Sequence, residues 1–182
     1  MKLILTIILL LIQEFSIGKY TPGALKLTKE DSFYNKEEYN RLRKYNEVIE
    51  FIKFHEGFSS TVYNDNGWDC QCYGQRLAFY DGEIPDTATV EKCDSILRDS
   101  FDKHISMVNR VYPGLTIYQS YAVAHMSYGI GIGTLLEGKY LYRSSSQWKI
   151  NLKALYFYRP IDSLKNYKQN RFFEYKLFNY KI

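Results

Sequence analysis

Glu56 closes an apolar run in "NEVIEFIKFHEG", and Asp65 adjoins an Asn-Gly pair in "STVYNDNGWDCQCYG". Acids beside a surface turn are ordinarily solvated, so the pair gains meaning only from the elements that hold it. In the first stretch Val48, Ile49 and Ile52, with His55 at the end, fall on one helical stripe, and Phe51 and Phe54 lie beside it. Asn46 suits the N-cap and Gly57 a left-handed stop, which puts Glu56 in the last turn of a helix. There the negative end of the helix dipole favours the protonated carboxyl, and flanking Phe54 and Phe58 strip water from it. In the second stretch Asn66-Gly67 signals a two-residue hairpin turn. Thr61, Val62 and Tyr63 form the incoming strand and Trp68 to Tyr73 the return strand, leaving Asp65 exposed and ionised at the hairpin's shoulder. One carboxyl tuned to give up a proton and one kept charged, a short hairpin apart, is an arrangement suited to breaking glycosidic bonds.

The remaining chain must hold that pair in place. Residues 86–112 read as a long amphipathic helix with Val90, Cys93, Leu97, Phe101, Ile105 and Val108 at threes and fours. Asp86 or Thr87 caps it, Pro113-Gly114 ends it, and His104 reads as a satisfied or half-exposed histidine beside the stripe. "QSYAVAHMSYGIGIG" is almost continuously apolar or small from Tyr121 to Tyr128, as a buried central helix is. Gly129, Gly131 and Gly133 then form its exit; no strand precedes them and their spacing is wrong for dinucleotide binding. In the C-terminal third Ser146 caps one predicted helix and Asp162 or Ser163 another, with Leu164, Tyr167, Phe172, Tyr175 and Phe178 on the periodic face of the second.

Length and composition set bounds. A chain of 182 residues with 46% hydrophobic residues builds one ordinary domain with a sizeable core. A net charge of +4 without a dense Lys/Arg block does not point to nucleic acid, and it favours approach to an anionic polymer. Residues 1–18 carry one early lysine, an apolar run too short to span a bilayer, and small residues at Ser16 and Gly18. They read as a signal peptide cleaved near Gly18/Lys19. Residues 19–44 are a polar lead-in, with a later part able to be helical, and 45–182 the folded domain. The mature chain is expected to be secreted, to the extracellular space or a digestive, lysosome-like compartment, without stable membrane insertion. Of the three cysteines, Cys70 and Cys72 are poorly placed to bridge each other on one strand. Export permits a disulfide, so Cys93 pairs with one of them; the spacing does not suit zinc.

In order along the chain these segments resemble the phage-type lysozymes, glycoside hydrolase family 24, over about residues 46–180. "FHEGF", "YND" and "GWDCQCYGQ" stand where that family has a helix ending in Glu-Gly, then Tyr-x-Asp, then Gly-x-x-Thr-x-x-Tyr-Gly-His. "TVEKCDSILRDSFDKHISMVNR" looks like its long helix and "LTIYQSYAVAHMSYGIGIG" like its central helix. "NYKQNRFFEYKLF" looks like its C-terminal motif, with Arg171 and Glu174 retained. The resemblance implies an α+β, mostly α, lysozyme-like fold with a small β-hairpin lobe and a helical lobe. It makes Glu56 the general acid and Asp65 the carboxylate that positions water. It implies inverting hydrolysis of the β-1,4 link between N-acetylmuramic acid and N-acetylglucosamine in bacterial peptidoglycan, by a monomer needing no metal or cofactor.

The chain departs from the motif. The family's threonine falls on Cys70 counting back from Tyr73-Gly74 and on Gln71 counting forward from Asp65. The histidine after Tyr-Gly is Gln75, the central-helix asparagine is Gly129 or Ile130, and one arginine is Asn170. Cys70, Gln71 and Tyr73 are therefore the candidate substrate-binding positions, and Trp68, Tyr73 and Tyr128 candidates to line the cleft. The missing threonine motivates a second reading, a lysozyme fold that binds peptidoglycan or chitin-like glycans without cutting them. A chitinase and a plain secreted structural domain are the other readings.

Overall fold

The computed structural model describes residues 36–80, 82–138, 140–151 and 164–181. The predicted signal peptide, its cleavage point, most of the lead-in and the caps at Asp162 or Ser163 lie outside the described residues.

Helix α1 runs from Lys36 to Glu56. It begins ten residues before Asn46, which lies inside it instead of capping it. The Asn46 side-chain oxygen accepts from Arg98 Nη1 at 2.9 Å. Two local features favour the longer helix. Glu37 and Glu38 sit in the first turn, where the dipole is positive. Pairs three residues apart, Glu38–Arg41, Lys44–Glu47 and Glu50–Lys53, then follow one another along it, each worth a few tenths of a kcal/mol (about 0.2–0.5). Val48, Ile49, Phe51 and Ile52 bury the inner face. Gly57, at φ +72°, ends the helix with its N–H donated to Lys53 O.

Strands β1 (Ser59–Asp65) and β2 (Trp68–Cys72) form the expected hairpin, and β3 (Gln75–Arg76) adds a third strand to a β1-β2-β3 sheet. Asn66 and Gly67 both have positive φ, 51° and 89°, the geometry of a type I′ turn whose twist matches that of its strands. A 3-10 turn, Leu77–Phe79, follows.

Helix α2 spans Val90–Val111. Its cap is Thr89, whose side chain accepts from the Lys92 N–H, in place of the predicted Asp86 or Thr87. Those two residues are otherwise engaged: Thr87 bridges to Thr61, and the Asp86 carbonyl faces the Gln71 amide. Cys93, Leu97, Phe101 and Val108 are buried as the spacing predicts, while Val90, in the first turn, is exposed. Helix α3 (Ile117–Ile130) opens with a capping box between Thr116 and Gln119 and is buried on nearly all sides. Gly131, at φ +79°, separates it from the short α4 (Ile132–Glu137).

Two C-terminal expectations are corrected. Ser146 starts no helix: β4 (Leu141–Ser144) and β5 (Gln147–Ile150) form a hairpin with Ser145-Ser146 at its turn. Leu141 and Ile150 are buried partners, and Trp148 donates its ring N–H to Pro113 O at 2.9 Å. Helix α5 (Leu164–Phe178) exists and buries Phe178 as expected, but Phe172 and Tyr175 turn to solvent, the side chains of Leu164 and Tyr167 lie outside those described, and the inner face carries Arg171, Glu174 and Leu177 beside Phe178. An apolar count cannot find a face whose central positions are an ion pair.

The core is one cluster shared by α1, α2, α3 and α5, with the sheet attached through Cys72 and Tyr73. The Cys72–Cys93 disulfide fastens β2 to α2 and leaves Cys70 as a free buried thiol, deciding between the two pairings that the sequence left open.

Candidate active site

Helix α1 delivers Glu56 at its last residue, with the dipole's negative end behind it. The side chain reaches solvent. Its Oε2 lies over the backbone of Gly74, where an added Cβ would come within 3.2 Å. Gly74 also has φ +75°, so the backbone conformation favours glycine there, and any side chain would crowd the Glu56 carboxyl. The Glu56 carboxyl is held above the ordinary glutamate range. Loss of hydration is the largest cause; the charge of His125 opposes it and that of Asp65 adds to it. Phe54 and Phe58, which flank it in sequence, are themselves 60% and 46% exposed.

Asp65 ends β1 in the open, its Oδ1 accepting from Asn66 Nδ2 at 2.9 Å. Residues directly opposite on antiparallel strands share a face. Asp65 pairs with Trp68, Tyr63 with Cys70, and Cys70 with Arg76. One face of the sheet therefore presents Tyr63, Asp65, Trp68, Cys70 and Arg76. The Glu56 charge is felt at Tyr63, at Cys70 and at Tyr128 of α3, which makes this the face turned to the helix end. An accessible acid that favours its proton, facing an exposed carboxylate, is suited to protonating a leaving group while polarising a water.

The other predicted residues separate by this geometry. Cys70 is buried beside Asp65, and burial first, then the Asp65 charge, pushes its thiol pKa up. Gln71 points to the opposite face, fully buried, with its amide donated to Ser60 O at 2.7 Å and Pro85 O at 3.0 Å. It braces the loop before α2 and is not brought to the two acids. Tyr73 is nearly buried, with its hydroxyl donated to Asp94 at 3.0 Å. Tyr128 donates to Tyr73 O at 2.7 Å, and burial raises its phenol. Trp68 is 39% exposed and is the one cleft-lining candidate with a free surface of that size. Among the described residues no group of three or more His, Cys, Asp or Glu is placed to hold a metal ion, and no helix is long and apolar enough to cross a membrane.

Behind the site lies a network that no run of adjacent residues announces. His125 Nδ1 is 2.7 Å from Glu174 Oε1, and Arg171 Nη2 donates to the same oxygen at 2.8 Å. The three side chains are 7%, 0% and 2% exposed. Phe51 and Phe173 stack at 4.0 Å and enclose His125, and His55 packs on Phe51 at 4.3 Å. Burial, then the charge of His125, lowers the His55 pKa. Buried charges persist only with partners. The spacing Arg171-x-x-Glu174 is legible in the sequence, but their partner on α3 is one histidine in an apolar run.

Compared with solved structures, the chain is similar to the muramidase domain of SpmX from Asticaccaulis excentricus. The TM-score is 0.50 at 19% identity, over 74% of this chain and 96% of that one. The fold is lysozyme-like. It is mostly helical with small antiparallel sheets, as the α+β expectation held. The chain is also similar to an endolysin from Escherichia coli O157:H7 phage FAHEc1, with a TM-score of 0.48 at 17% identity over 77% and 93% of the two chains. No protein-family model matches the sequence, and no curated protein does.

Proposed function

We propose that this lysozyme-fold protein is a peptidoglycan hydrolase of the phage-type kind, a muramidase that cuts the β-1,4 link between N-acetylmuramic acid and N-acetylglucosamine. The observation that carries the reading is Glu56, accessible and inclined to hold its proton, set at a helix end against the sheet face that bears Asp65. In the proposed step Glu56 passes its proton to the glycosidic oxygen as the bond to the anomeric carbon breaks. Water attacks from the other side of the sugar and yields a proton to Asp65, with inversion. Cys70, buried on Asp65's face, occupies one of the two positions to which the resemblance assigns threonine. The signal-peptide-like pattern of residues 1–18 and the charge of +4 are in keeping with delivery outside the cell to an anionic wall.

A second reading has its own support. A buried thiol is a weaker hydrogen-bond donor than the hydroxyl it stands in for, which favours a fold that retains wall glycan without cutting it. Turbidity of a bacterial wall suspension separates the two. The mature chain is expected to clear it, and Glu56→Gln to slow clearing by roughly 10²–10⁴-fold, the usual worth of a general acid. Retention on walls with no clearing by either protein would retire the hydrolase reading in favour of the binder.

A further inference from the structure

The catalytic face of the sheet continues past Asp65 into a patch that the proposed reaction does not use. Trp68, the cross-strand partner of Asp65, has its ring centroid 5.2 Å from that of Phe79, with the planes tilted by 39°. The Arg76 guanidinium lies over Trp68 at 5.1 Å. Trp68 and Phe79 are 39% and 60% exposed, and Arg76 is exposed as well. Among the described residues Arg76 makes no ion pair with a carboxylate. The ring–ring and cation–π contacts hold this group together, yet both rings keep a large part of their surface open to water; an exposed apolar patch rimmed by charge is the mark of a binding surface. Flat pyranose faces present C–H groups that stack on such rings, and a guanidinium offers a paired hydrogen-bond fork to a carboxylate.

We infer that Trp68, Phe79 and Arg76 form a saccharide subsite that extends the active site beyond Asp65 and takes a pyranose bearing a carboxylate. In a wall glycan that sugar is the muramoyl residue, whose lactyl ether carries a carboxylate or an acidic peptide. The inference rests on the reading above, because continuity with Asp65 is what assigns the patch to the glycan. Charge complementarity then selects an acidic sugar over a neutral one. Among wall polymers the subsite thus acts on affinity: it separates muramoyl glycan from uncharged chitin.

Trp68 and Trp148 are the two tryptophans of the chain, so Trp148→Phe leaves Trp68 as the emission reporter. In the full chain carrying Glu56→Gln and Trp148→Phe, a tetrasaccharide of alternating N-acetylglucosamine and N-acetylmuramic acid should change Trp68 emission saturably. Adding Arg76→Gln should weaken it about tenfold, or about 1.4 kcal/mol, while chitotetraose affinity shifts by less than about twofold on the same scale. Phe79→Ala should weaken both sugars. An emission unmoved by the acidic sugar, or an Arg76→Gln variant with an unchanged acidic-to-neutral ratio, overturns the subsite. Should Trp148→Phe fail to fold, KM for walls in the otherwise unaltered protein decides the same question. Arg76→Gln and Trp68→Ala must then raise KM more than they lower kcat. A protein that clears walls while Arg76→Gln leaves KM unchanged sinks the subsite and spares the hydrolase. A protein that never clears walls but whose Trp68 answers the acidic sugar does the reverse.

Discussion

Replacing Gly74 by alanine tests the seat of Glu56. At φ +75° a side chain meets the left-handed penalty of about 1–2 kcal/mol. The new Cβ also lands 3.2 Å from Glu56 Oε2, so the carboxyl must give way by a few tenths of an ångström. Gly114 supplies the control: φ is +86° and an added Cβ meets nothing within 4 Å. Both variants should lose about 1–2 kcal/mol in denaturant titrations, since the backbone term is common to them. The methyl at 74 also keeps water from the carboxyl, so Gly74→Ala alone should move the Glu56 pKa further upward. It should slow wall clearing about tenfold, given that an ångström of misplacement is worth about a hundredfold. Carbon-labelled glutamate followed by NMR through a pH series reads the titration directly. Identical Glu56 titrations in wild type, Gly74→Ala and Gly114→Ala would refute the proposed seat, whatever the lytic assay gives.

Three further outcomes follow from the packing. Cys72→Ser/Cys93→Ser opens a loop of sequence separation 21 and should cost about 3 kcal/mol on the chain-entropy relation, read from denaturant midpoints with and without reductant. Burial holds His104 at about 4 against an ordinary 6.5. The native state therefore binds fewer protons than the unfolded chain between those values, and stability should fall as pH drops from 6.5 towards 4. The full span is about 3 kcal/mol, and His104→Gln should flatten that part of the stability–pH curve. Glu174→Ala leaves buried Arg171 and His125 without their shared oxygen and should cost about 3–5 kcal/mol, measured by thermal unfolding at neutral pH.

What the sequence disclosed was local. The Asn66-Gly67 turn, the stop at Gly57, the choice of two partners for Cys93 and the buried run of α3 each follow from a few adjacent residues whose backbone chemistry has few alternatives. What it concealed was set by distant contacts. Thr89 caps α2 because Thr87 and Asp86 are drawn to β1 and Gln71. Gln71 and Cys70 are neighbours in sequence with similar burial, and only the strand register tells which one faces Asp65. The 141–150 hairpin is hidden because two serines at its turn look like a helix cap. The buried face of α5 is hidden because its interior is polar, and the companion that makes it so, His125, stands 49 residues away.

Asp94 has a role out of proportion to its place in the second turn of α2. One of its oxygens takes the Lys53 ammonium at 2.8 Å and the other the Tyr73 hydroxyl at 3.0 Å. Lys53 lies three residues before Glu56, Tyr73 lies immediately before Gly74, and the sulfur bridge to β2 is at the adjacent Cys93. Glu56 and the sheet that confronts it are thus gauged from a common datum. A drift of that one helical turn would carry both along together, preserving their spacing where separate anchors would let it wander.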